Sequence, residues 1–145
     1  MARRRHFAMQ AAAIGLALAA MTSLARAQAA CDRADLGCAI FNGQHPMTAH
    51  LRDDDRPLPA WTTRCVNCHA DTPKAQAFAP PLTHDSLLGA ASRRGGPVSH
   101  YDETAFCRAV KDGVDPAGVL LRKSMPHYRM ADAECMALWR FVVQR

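Results

Sequence analysis

The sequence has no run of alternating apolar and polar residues long enough to argue for a sheet, and no segment of it repeats. Only one C-x-x-C pair occurs, and neither a second pair nor an H-x-x-x-H follows, so a closed four-ligand zinc site is not encoded around it. No βαβ pattern surrounds that pair either, which argues against a thioredoxin-type dithiol. No constellation of nucleophile and general base stands out, so the chain reads as a non-enzyme.

The start reads as an export signal. Arg3, Arg4 and Arg5 form a basic head, residues 7–24 are apolar and Ala-rich, and Ala25-Arg26-Ala27 has the small-x-small pattern of a cleavage site. Residues 1–27 are therefore expected to be removed, leaving no membrane anchor. A retained anchor would need a longer uninterrupted apolar run, and Gln10 breaks this one. The remaining 28–145 suit one domain. Four of the 18 basic residues leave with the signal while all 13 acidic ones stay, so the mature chain carries 14 against 13, or +1. The basic precursor is thus no argument for nucleic acid.

Along the mature chain, Leu36, Ile40 and Phe41 fall on one face of a short helix that Gly43 ends. Residues 44–59, with Asp53-Asp54-Asp55, Pro57 and Pro59, read as a surface loop, and 60–64 as a helical turn. Between 71 and 97 prolines and glycines predict mostly loop, with one helical turn near 85–91. A loop of that length in a small domain suggests that it wraps something. Ser99 is a good N-cap, with Asp102 three residues on, for a helix whose stripe is Ala105, Phe106, Ala109 and Val110 and whose stop is Gly113. A last helix is expected over 132–144.

Cys65-Val66-Asn67-Cys68-His69 is C-x-x-C-H, the attachment pattern for a c-type haem. Two intervening residues bring both sulfurs within reach of the vinyl groups on one porphyrin edge, and the adjacent histidine can turn its imidazole to the iron. One such motif implies one haem c, and an exported, periplasmic protein. The sixth ligand should lie downstream, where Met125, His127 and Met130 are candidates. Met125 is preferred, because Pro126 pushes it out of helical geometry and presents its thioether from an extended loop.

From about residue 32 to 143 the chain resembles the class I c-type cytochromes. The likeness rests on Cys65-x-x-Cys68-His69, on Pro80-Pro81-Leu82, and on Gly113-Val114-Asp115-Pro116 followed by Met125-Pro126. Gly37 and Phe41 with Leu138 and Phe141 are similar to that family's contact between first and last helices. The resemblance implies an all-α, cytochrome c-like fold, with about four to five short helices and long loops around one haem. It also implies that the Pro80 carbonyl accepts a hydrogen bond from His69, and that His69 and Met125 ligate the iron. Two departures from the family are an insertion at 44–64 between the first helix and the Cys motif, and four surplus cysteines.

In an oxidising compartment those four should pair. Of three connectivities, Cys107 with Cys135 and Cys31 with Cys38 are preferred. The latter requires the first helix to begin near Asp35, since residues seven apart in one continuous helix are too distant to bridge. Arg93 and Arg94 are candidates for the haem propionates, and Trp61, Phe78, Leu82, Tyr128 and Trp139 for the porphyrin's neighbours. The function expected is electron transfer with redox protein partners, such as a periplasmic dehydrogenase or terminal oxidase. The alternatives are a cytochrome subunit in a dehydrogenase complex, and a haem sensor or peroxidase-like protein with an open distal position.

Overall fold

The computed structural model describes residues 31, 32, 34–70 and 78–145; the expected signal at 1–27 lies outside them. No helix among the described residues is long and apolar enough to cross a membrane. Helix α1 (Leu36–Asn42) starts at Asp35, whose carboxylate accepts from the Cys38 N–H at 2.8 Å, and stops at Gly43 in the left-handed region. Strand β1 (Thr48–His50) and a 3-10 turn (Ala60–Thr62) follow, then α2 (Val66–His69) and α3 (His84–Leu88). Strands β2 (Ala91–Ser92) and β3 (Val98–Ser99) precede α4 (Glu103–Asp112), β4 (His127–Arg129) and α5 (Asp132–Val142).

The all-α expectation is thereby corrected. Five α-helices share the described residues with two antiparallel two-stranded sheets, one of β1 with β4 and one of β2 with β3. Thr48 faces Arg129, Ala49 faces Tyr128 and His50 faces His127, while Ala91 faces Ser99 and Ser92 faces Val98. Strands of two or three residues show too few alternations to register as a period, and β1 finds its partner far along the chain. The reading of 44–59 as surface loop fails for the same reason: Met47 and Ala49 are buried, Ala49 completely. In β2 and β3 the chain reverses through Arg94 and Gly95, both at positive φ.

The start of α4 also differs from expectation. Asp102, not Ser99, is the N-cap, accepting from the Ala105 N–H at 2.7 Å, because Ser99 is already paired in β3. Glu134 caps α5 from within, its carboxylate accepting from the Ala131 N–H at 2.7 Å.

The core sits where α1 and α4 meet α5. Gly37 permits the closest approach, since a Cβ there would lie 2.2 Å from the Ala137 carbonyl oxygen and 2.6 Å from the Phe141 Cβ. Beside it the Phe41 and Phe141 rings meet tilted at 5.5 Å, and Phe106 meets Trp139 at 5.3 Å. Ile40, Leu138 and Val142 are almost wholly buried, each side chain contributing roughly 1.5–3 kcal/mol. Both expected disulfides are present. Cys107–Cys135 joins α4 to α5, and Cys31–Cys38 ties the segment before α1 to its first turn, which begins after Asp35.

Candidate functional site

Two short elements present the C-x-x-C-H residues. Cys65 precedes the single turn of α2, and Cys68 and His69 end it; Cys65 is buried, Cys68 half-buried, and the two remain unbridged thiols. Segment 79–80 is tied back onto this turn twice. The Ala79 N–H donates to the Cys68 carbonyl at 3.2 Å, and His69 Nδ1 lies 2.6 Å from the Pro80 carbonyl oxygen. A carbonyl can only accept, so Nδ1 carries the proton and Nε2 keeps its lone pair. That Nε2 is buried and has no hydrogen-bond partner. Burial lowers the His69 pKa, against a smaller opposing push from the Pro80 bond, so the ring is neutral near neutral pH and its free lone pair is available to a metal.

The Cys65 thiol is pushed up to about 11, chiefly by burial. A thiol so protonated is a poor nucleophile, which counts against dithiol redox chemistry. Among the described residues no three His, Cys, Asp or Glu side chains gather to hold a metal. A site made of protein ligands alone would need such a group, whereas a porphyrin brings four nitrogens and leaves the chain to supply two axial donors. The orphaned Nε2 beside two free thiols therefore fits a covalently attached haem.

The candidates for a second donor lie in the chain between α4 and α5. Met125 and Met130 are both partly buried against the core cluster that contains Cys65 and Tyr128. His127 is engaged elsewhere. Its ring meets His50 edge-on at 5.6 Å, and its Nε2 sits so close over Gly113 that a Cβ there would come within 2.2 Å. Gly113 itself has φ +69°, so it has two reasons to lack a side chain.

Arg93 and Arg94 are taken up by the protein itself. Arg93 donates to the carbonyls of Ala91, Ser86, Gly89 and Ser99 and lies over the Tyr101 ring. Arg94 pairs with Asp115, which is fully buried and also accepts from the Val119 N–H at 2.7 Å. These contacts give both guanidinium groups a role in fastening loops. Of the expected porphyrin neighbours, Tyr128 and Trp139 are buried and Leu82 is half-buried, while Trp61 and Phe78 are exposed by 69% and 71%.

Sequence reasoning singled out Tyr128 as a porphyrin neighbour but not the bonds that tie segment 44–64 to segment 121–130. The Tyr128 hydroxyl donates to the Thr63 carbonyl at 2.8 Å in a buried position, and Arg52 Nη1 donates to the Leu121 carbonyl at 3.0 Å. The only available signal was one apolar residue, Tyr128, between His127 and Arg129, too short to read as a strand. Compared with known proteins, the chain matches no family model, no curated protein and no solved structure.

Proposed function

We propose that this chain carries single electrons on one c-type haem, attached through Cys65 and Cys68, with His69 as proximal and Met125 as distal ligand. One observation carries the reading. The other four cysteines are joined in disulfides, while the two of C-x-x-C-H remain free beside an imidazole whose Nδ1–H is spent on Pro80 and whose buried Nε2 has no partner.

Bound there, a haem supplies a one-electron ferric/ferrous couple. The chain supplies the rest. Pro80 fixes the tautomer and orientation of His69 and raises its basicity as a ligand. Met125 offers a soft sulfur, which favours the reduced state relative to a second histidine. Tyr128, Trp139 and Phe106 belong to the same buried core cluster as Cys65. If His69 and Met125 both held the iron, no coordination site would be left for a substrate, so the reading is a carrier, working in the periplasm with redox protein partners met transiently.

A specific observation favours a second reading, as a cytochrome subunit docked on a dehydrogenase. Trp61 and Phe78 flank the Cys turn, the Trp61 carbonyl accepting from Asn67 and the residue after Phe78 bonding Cys68, yet both rings face solvent. Exposed aromatics of this size are typical of partner surfaces. Stable co-purification with a catalytic chain would select this reading, and its failure the free carrier.

The axial assignment is tested by the absorption spectrum of periplasmically matured protein. A six-coordinate spectrum with the weak long-wavelength band of sulfur on ferric iron, lost in Met125→Ala, is expected. A five-coordinate spectrum that takes up carbon monoxide readily and is unchanged by Met125→Ala would overturn it.

A further inference from the structure

Residues 44–64 run from the end of α1 to the Cys turn, and on the way they cross to the loop that holds Met125. We propose that this segment is a strap that holds the distal loop in place, with Tyr128, Thr63 and Arg52 as positioning residues for the Met125 thioether; the inference rests on the haem reading above.

The strap grips the distal loop on both flanks of Met125. Four residues before it, the Leu121 carbonyl accepts from Arg52. Three residues after it, Tyr128 is fixed twice, through its ring hydroxyl on the Thr63 carbonyl and through its place opposite the fully buried Ala49 in the β1–β4 pair. The backbone bond of Met125 itself is local, from its N–H to the Arg122 carbonyl at 2.9 Å, and does not anchor the loop to anything beyond its own turn. Thr63 closes the strap on itself, its hydroxyl donating to the Ala60 carbonyl at 3.0 Å and lying 3.3 Å from that of Met47.

The location of the latch matters most. Thr63 is two residues before Cys65, so the backbone that receives Tyr128 is continuous with the covalent anchor of the haem. Withdrawing the distal loop would strand a buried carbonyl and a buried hydroxyl together, at a cost neither would bear in water. A neutral thioether is a weak ligand for ferric iron, so its retention depends on how firmly the chain positions it.

The test uses the matured, coloured protein and cyanide as the probe that competes with the distal sulfur. Tyr128→Phe keeps the ring and its packing and removes only the hydroxyl. We expect covalent haem to be retained and cyanide affinity for the ferric form to rise roughly tenfold, the worth of one buried hydrogen bond. The long-wavelength sulfur band should also disappear at a lower cyanide concentration. Should Tyr128→Phe not fold, Arg52→Leu removes the other grip and should raise affinity in the same direction. Arg56→Ala, which breaks only the exposed Arg56–Asp54 pair within the strap, should leave affinity unchanged. Cyanide affinity equal to wild type in coloured Tyr128→Phe or Arg52→Leu protein overturns the strap alone. Colourless wild-type protein would remove the haem reading, and this inference with it.

Discussion

The backbone bonds of Cys65 to His69 and the His69 ring bond reach residues no more than eleven positions away, whereas the side-chain bonds that hold 121–130, from Arg52 to the Leu121 carbonyl and from Tyr128 to the Thr63 carbonyl, span more than sixty positions. The Cys turn is thus largely a local structure, set by the spacing of three residues and one proline carbonyl. Segment 121–130 is fixed by the bonds from residues 52 and 63, by the Leu121 N–H on the Gly113 carbonyl and by a disulfide between its flanking helices. The first should form wherever the motif is made; the second should form only when the whole domain has folded.

The largest expected effect lies at the Cys turn. Replacing both Cys65 and Cys68 with serine should abolish covalent colour entirely while the two disulfides still form, as a pigment assay and thiol counting would show. Retained covalent haem would place the attachment elsewhere.

The disulfides sharpen the comparison from the 121–130 segment. Cys107–Cys135 closes a chain segment of 28 residues that includes 121–130, and Cys31–Cys38 one of 7. Loop-closure entropy predicts a loss of about 3.5 kcal/mol for Cys107→Ser with Cys135→Ser and about 2.5 kcal/mol for the N-terminal pair. Urea denaturation measures both. The first pair alone should also speed hydrogen exchange at 121–130 without affecting the amide of Ala79.

Arg94→Leu comes next. It strips a charged partner from the buried Asp115 but leaves the Val119 N–H bond, so stability should fall by about 2 kcal/mol. An unchanged denaturation midpoint would mean that the 114–120 loop does not depend on this pair.

The smallest effect is pH-dependent. The Ala131 N–H, and after it the His45 imidazole at 2.9 Å, hold the Glu134 carboxyl below its usual range at the start of α5. A depressed carboxylate stabilises the fold fully above its unfolded-state pKa, and that contribution is lost as pH falls through the lower folded value. The melting temperature of wild type should therefore drop on acidification through the carboxylate range more than that of Glu134→Gln. The difference should be less than any change above.

This division also explains what could be read from the sequence. Cys65, Cys68, His69 and the caps at Gly43 and Gly113 are signalled by neighbours within a few positions. Cys107 and Cys135 could be paired because each lies on a recognisable helix. The strap could not be read: Thr48, Ala49 and His50 sit in a stretch rich in Asp and Pro, and only the distant β4 makes them a strand. The Ser99 hydroxyl suits a cap, but its place in β3 moves the cap to Asp102. For Arg93 and Arg94 a sequence does not tell which groups a guanidinium meets. In the structure one is filled by carbonyls and the other by Asp115.

The most direct test of the central claim is the intact mass of the chain after export with a working haem-maturation system, followed by mapping of the peptide that contains residues 65–69. The account predicts a mature polypeptide heavier by one haem, the added mass surviving acid acetone and lying on that peptide. A bare polypeptide mass, or a pigment that acid acetone strips away, would contradict it.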